Sequence, residues 1–136
     1  SVSMNVLLFS WVQALGRHIE YTATNRADTF LGTRLAQDAS RFIAYGVAHI
    51  RNLLLVRPIE GERLDNHLDL AENALVGALG APAMIEPLVL ISGGFEPVAG
   101  LYERTVEEYF GRCLAAGLGD RSARSPLPEF LRMLRS

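Results

Sequence analysis

The sequence contains no lysine and a single cysteine, Cys113. One cysteine cannot form an intrachain disulfide, which favours a reducing, cytoplasmic compartment. The net charge of −2 at pH 7 argues against a nucleic-acid-binding protein that works through a basic surface. The apolar run over residues 6–12 is interrupted by Ser10 and is far shorter than the roughly 20 residues of a membrane span, so no membrane association is expected.

The sequence also lacks the short motifs of several enzyme classes. It has no P-loop, no dinucleotide-binding glycine pattern, no zinc motif and no serine nucleophile elbow. His49 and His67 have no second ligand at helical spacing, which argues against a metal site at either residue. Cys113 lies beside Phe110 and Leu114, and we expect it to be a buried apolar residue rather than a nucleophile. The motifs therefore assign no catalytic residue.

Helical periodicity dominates the 136 residues, which suffice for one domain. The strongest pattern lies over residues 33–56, where apolar or small residues recur every three or four positions and predict one long helix. A short link is predicted before it, over residues 25–33, with Asp28 able to cap a helical turn. Pro58 lies just beyond its end, where a residue that cannot continue a helix is expected. The apolar stripe consists of Leu35, Ala39, Phe42, Ile43, Gly46, Ile50, Leu53 and Leu54.

The remaining patterns complete an all-α prediction, because no strand pattern or internal repeat stands out. Residues 83–91 are apolar but contain Pro87, which leaves either a bent helix or a buried connection. We expect a helical bundle over residues 1–120, followed by a polar linker and a tail helix within residues 121–136. Further helices are predicted over residues 3–25, 62–79, 96–118 and 129–134, with Phe130 and Leu134 able to dock on the body.

The segment QDASRFIAYGVAHI, residues 37–50, resembles the last core helix of ferritin-like di-iron carboxylate proteins of the ribonucleotide-reductase-like group. In that family the helix reads as an Asp-Glu-Ala-Arg-His run followed by an aromatic residue and glycine. Asp38, Arg41, Tyr45 and Gly46 match this pattern. The resemblance implies an antiparallel four-helix bundle with a buried metal pair, held in part by a Glu and a His three residues apart.

The metal-ligand positions of that family are not kept in this sequence. The Glu position is Ala39 and the His position is Phe42, while the Glu of a Glu-Gly pair in the preceding core helix corresponds to Leu15. None of these side chains can bind iron or manganese, so we expect neither a metal nor another cofactor. The resemblance covers only the second half of the family domain, and the first two core helices would normally lie before Ser1.

Four residues are candidates for lining a pocket. His18 lies three positions after the vacated position in the first helix and could face the same interior, although a boundary histidine with one hydrogen bond is favoured. Asp38 could pair with Arg41, or with Arg17 or His18 on the neighbouring helix. Arg41 and Tyr45 lie four residues apart and could hold an anion, although a structural clamp between helices is favoured.

Three functional hypotheses follow. The first is a metal-free ferritin-like domain that acts as a binding or interaction module. A half-bundle would expose apolar stripes, which a second copy would cover in a homodimer. The second is part of a di-iron oxidoreductase whose ligands come from a missing segment or a partner, or a metal-free enzyme that uses the vacated cavity. The third is a protein that holds a small apolar ligand between its helices.

Overall fold

The computed structural model describes residues 2–136, with side chains from Val6 onward. The described chain is helical and contains no strand, which confirms the all-α prediction. Within this range the helices are α1 (Val2–Thr22), α2 (Arg26–Val56), α3 (Glu60–Leu79), α4 (Pro82–Ser92), α5 (Phe95–Ala115) and α6 (Leu127–Arg135).

Helix α2 begins earlier than its apolar stripe indicates. The Asn25 side chain accepts a hydrogen bond from the Asp28 backbone N–H at 2.8 Å and donates one to the Asp28 carboxylate at 2.9 Å. This cap satisfies the Asp28 backbone N–H at the helix start, and the helix begins at Arg26 and runs for 31 residues. The prediction of a link over residues 25–33 is therefore wrong, and Asn25 rather than Asp28 is the capping residue.

Helices α1 and α2 form an antiparallel hairpin in which the two backbones touch. Val6 and Ile50 belong to one apolar cluster near one end of the hairpin, while Gly16 lies against Gly32 farther along. A Cβ atom built on Gly32 would lie 2.5 Å from the backbone nitrogen of Glu20 and 2.6 Å from the Gly16 carbonyl oxygen. Only glycine permits this approach, because any side chain would overlap the facing backbone.

The main core lies on another side of α1, where α3 and α5 pack against it and α6 packs on α3 and α5. Trp11 meets Tyr102 edge to face, with ring centroids 5.4 Å apart. Cys113 is buried in this core, as predicted. Phe130 and Leu134 of the tail helix pack against the same core, so the prediction that they dock on the body is also confirmed.

Helix α4 is the least buried element of the body. It contains Pro87 within its length and has no fully buried residue, although Leu88 and Val89 contact the core. Of the two alternatives for this segment, the helix is therefore observed and the buried connection is wrong.

Within residues 2–136 no single helix is long and apolar enough to cross a membrane; α3 and α4 meet that test only as a pair bent by 62°.

Candidate functional site

A cleft of about 580 Å³ opens between α1 and α5. Helix α1 contributes His18 to its wall, α5 contributes Leu101 and Arg104, and Ser92 comes from the end of α4. This volume falls in the range of small-molecule sites, roughly 300–1,000 Å³. The cleft is therefore large enough to be a candidate ligand site.

His18 and Ser92 form the central polar contact of this cleft. The Nε2 atom of His18 lies 2.6 Å from the Ser92 hydroxyl oxygen, and the two side chains are 74 residues apart in sequence. Burial and the nearby positive charge of Arg104 lower the pKa of His18 below its usual value of 6.5. The neutral imidazole therefore predominates at pH 7, where it can donate to or accept from the hydroxyl.

The charged side chains of the cleft differ in whether they have a partner. Arg17 pairs with Glu108, with 3.3 Å between Nη1 and Oε1. Glu96 accepts two hydrogen bonds from Arg135, at 2.8 and 2.9 Å. Arg104 has no carboxylate within ion-pair distance among residues 6–136. The cleft thus presents one guanidinium that forms no direct ion pair with the described side chains, while Glu103 interacts with its charge at longer range.

The lowered pKa of His18 predicts a specific pH dependence of stability. The fold favours the neutral imidazole, so its contribution is complete above about pH 6.5 and declines as the pH falls below that value. We expect His18→Gln, which keeps a polar partner for Ser92, to lose less stability between about pH 7.5 and 5.5 than the parent chain. Urea midpoints at the two pH values measure this. Equal losses in both proteins would contradict the assignment.

The other predicted pocket residues lie elsewhere. Asp38 pairs with Arg41 on its own helix, with 3.8 Å between Oδ1 and Nη1. Tyr45 is 69% exposed and lies over His49, with ring centroids 6.2 Å apart. Arg41 is largely exposed and contacts no other helix through an ion pair among residues 6–136, so the favoured clamp between helices is not observed. The structure therefore does not bring these residues together with His18.

Asp38 and Tyr45 flank a broad apolar surface, which we call the outer face of the hairpin. On α1 the outer-face residues follow the core-facing residues Leu7, Trp11 and Ala14 by one place in the sequence, which rotates them by about 100° around the helix axis. Phe9 and Phe42 stack across the two helices with ring centroids 4.7 Å apart. The outer face consists of Leu8, Phe9, Val12, Leu15 and Ile19 from α1 and of Leu31, Leu35 and Phe42 from α2.

The vacated ligand positions fall on or beside this face. Leu15 is half-buried and Phe42 is 54% exposed, whereas Ala39 is buried in the hairpin. None carries an atom that could bind a metal ion, so the residues present do not fit the di-metal centre that the resemblance implies. Among the described residues, no group of three or more histidine, cysteine or acidic side chains could hold a metal ion.

A buried ionic cluster joins α3, α5 and the segment before α6. Arg121 is 1% exposed, and its guanidinium contacts Glu72 at 2.7 and 3.0 Å, Asp69 at 2.6 Å and Asp65 at 2.5 Å. The Tyr109 hydroxyl donates to Glu72 at 2.6 Å. Arg121 belongs to the segment predicted to be a polar linker, so that interpretation misses its most important contact.

The electrostatics of this cluster indicate a structural role. Burial alone lowers the pKa of Arg121, but its hydrogen bonds to Glu72 and Asp69 outweigh that effect and raise it. Burial, together with Cys113 and Glu72, raises the pKa of the Tyr109 phenol. Arg121 thus stays charged and Tyr109 stays protonated at neutral pH, and the hydrogen-bonding capacity of both is used within the cluster.

Sequence reasoning missed several residues at these sites: Glu72, Ser92, Arg104 and Arg121. For the ionic cluster a signal exists, because Asp65, Asp69 and Glu72 share one helical stripe beside the buried Leu68 and Ala71.

Comparison with protein-family models, curated proteins and solved structures finds no match for this chain. The structure itself defines an all-α helical bundle with a cleft and an exposed apolar face.

Proposed function

We propose that this chain is a metal-free, ferritin-like interaction domain whose outer face is covered by a second copy of the same chain. The observation that carries the proposal is the exposure of large apolar side chains along both helices of the hairpin. Leu8 is 56% exposed and Leu31 is 50% exposed, in addition to Phe42 and Tyr45. Contiguous apolar surface of this kind marks an interaction site more often than chance exposure.

The shape of the hairpin supports a second copy as the partner. Two hairpins that meet through their outer faces would place four helices around one shared apolar layer, which is the architecture of a four-helix bundle. In a two-fold dimer the same patch serves both subunits, so it must be complementary to itself. The loosely paired Asp38 and Arg41 supply one charge of each sign at the edge of the face, and a two-fold axis would let them exchange partners.

The size of the face corresponds to the apolar centre of an interface. The outer face runs from Leu8 to Ile19 on α1, which is about 17 Å at 1.5 Å per residue, and two helices side by side are about 20 Å wide. The projected face is then on the order of 350 Å², so a standard interface, which buries roughly 800 Å² on each partner, would also include polar residues around the face. Its mainly aliphatic and aromatic composition resembles that of homodimer interfaces, which are depleted of charge at their centre.

The changes at the vacated positions agree with an interface rather than a redox centre. A carboxylate or imidazole left in a buried interface without a metal would lose hydration and find no compensating charge. Leu15 and Phe42 replace such groups with apolar atoms that a partner can cover. This substitution pattern supports association of the outer face, while the Asp38–Arg41 pair remains at the solvent edge.

The proposal is tested by placing a charge in the centre of the face. Phe42→Glu should convert a dimer into a monomer at micromolar concentration, because dimerisation would bury an unpaired carboxylate. Phe30→Glu is the matched control, since Phe30 is 70% exposed on the same helix but lies about 120° around it from Phe42. Light scattering coupled to size exclusion gives the mass, and circular dichroism reports whether each variant remains helical.

Dimeric parent and Phe30→Glu proteins together with a monomeric, helical Phe42→Glu protein would support the proposal. A parent chain that is monomeric at micromolar concentration would overturn the self-association. A Phe42→Glu protein that remains dimeric would show that the chain associates through another surface.

A further inference from the structure

We propose that the cleft between α1 and α5 binds a small organic carboxylate with an apolar body. This site lies on a different side of α1 from the outer face, and it does not depend on dimerisation. The inference rests on the volume of the cleft, on the charges that line it and on the apolar part of its wall.

Charge is the first argument for a carboxylate. Arg17 is compensated by Glu108, and Glu96 is compensated by Arg135. Arg104, an exposed residue of α5, forms no direct ion pair with a carboxylate among the described residues. A guanidinium at the wall of a cleft binds a carboxylate through two parallel N–H···O hydrogen bonds, and it cannot be deprotonated to relieve its charge.

The His18–Ser92 pair is the second argument. Its atoms are 2.6 Å apart and only partly buried, so both groups retain hydrogen-bonding capacity toward a ligand. A neutral imidazole and a hydroxyl suit a polar substituent of the ligand, whereas a cation would be repelled by Arg104. The pair therefore orients a ligand whose charge is bound by the guanidinium.

The apolar part of the wall is the third argument, and it distinguishes an organic acid from an inorganic anion. Ala14, Pro97 and Leu101 line the cleft, and Tyr21 stands beside them. Inorganic phosphate would leave these surfaces in contact with water. An aromatic or aliphatic body would bury them and fill a space of about 580 Å³.

The experiment uses benzoate as the probe, with benzamide and inorganic phosphate as comparisons. Binding is followed by isothermal titration calorimetry and by the NMR titration of the His18 imidazole. Benzoate should bind with a Kd on the order of 1 mM, as expected for a fragment of this size. Its negative charge beside Arg104 should also raise the pKa of His18, which a distant binding site would not do.

The variant that tests the assignment is Arg104→Gln, with Arg63→Gln as the control. Arg63 is an exposed residue of α3 that pairs loosely with Glu60 and does not line the cleft. We expect Arg104→Gln to weaken benzoate binding about tenfold or more, because the charge-assisted hydrogen bonds are lost. Arg63→Gln should bind benzoate like the parent chain.

The proposal is supported if benzoate binds more tightly than benzamide and phosphate, and if Arg104→Gln weakens benzoate binding while Arg63→Gln does not. Equal binding of benzamide would overturn the role of the charge, and equal binding of phosphate would overturn the role of the apolar wall. An unchanged His18 pKa at saturating benzoate would place the probe outside this cleft.

Discussion

Replacing Glu72 with alanine is expected to lower the free energy of unfolding by about 3–5 kcal/mol. Glu72 is fully buried and accepts hydrogen bonds from both Arg121 and Tyr109. Its removal leaves a buried guanidinium with less compensating charge and a buried hydroxyl without its acceptor. Urea unfolding followed by circular dichroism measures the effect.

Two further variants show whether the loss of stability comes from the buried pairing or from the removal of any carboxylate. Glu129→Ala removes the carboxylate of an exposed pair with Arg132, and it should change stability by less than about 0.5 kcal/mol. The double variant Glu72→Leu with Arg121→Met replaces both fully buried charges by apolar groups and should recover part of the lost stability, because Asp69 keeps its pair with Arg124. A Glu72→Ala protein as stable as Glu129→Ala would refute the buried pairing.

Replacing Gly32 with alanine should destabilise the chain by about 3 kcal/mol or more, which is at or beyond the usual range for overpacking. The new methyl group would lie 2.5 Å from the Glu20 nitrogen and 2.6 Å from the Gly16 oxygen. Both atoms belong to the backbone, so no side-chain rotation can make room. The helices must separate, and contacts along the whole hairpin weaken. Thermal unfolding monitored by circular dichroism detects the change.

Gly77→Ala provides the matched control for this prediction. Gly77 also lies inside a helix, but a Cβ atom there would meet nothing within 4 Å. The same chemical change should therefore stabilise α3 by about 0.5–1 kcal/mol through helix propensity alone. If Gly32→Ala were as stable as Gly77→Ala, the close backbone contact between α1 and α2 would be refuted.

Local periodicity was sufficient to predict the helices and much of their burial. In α2, the apolar residues Ala39, Ile43, Gly46 and Ile50 are buried as their spacing indicates. Phe42 belongs to the same sequence stripe, yet it is more than half exposed, because periodicity identifies an apolar side but not whether a neighbouring helix covers it. The extended start of α2 was missed because the Asn25–Asp28 cap acts before the stripe begins.

The candidate sites depended on contacts that local patterns do not encode. His18 was identified as a boundary histidine, but its partner Ser92 lies 74 residues away, so only the packing of α4 and α5 reveals the cleft. Arg121 sits between glycine- and proline-rich stretches that suggest a solvated linker. Its guanidinium is buried because it pairs with the row of acidic side chains on α3. This pairing depends on how α3, α5 and the segment before α6 pack together, which local patterns do not show.

The position of Arg121 also has a consequence for synthesis on the ribosome. Its partner Glu72 is made 49 residues earlier, so α3 emerges with Asp65, Asp69 and Glu72 on one stripe and no guanidinium to neutralise them. Mutual repulsion among these carboxylates opposes their burial while the nascent chain is still tethered. The α1–α2 hairpin can form early from nearby residues, whereas closure of the core against α3 waits until Arg121 has left the ribosome.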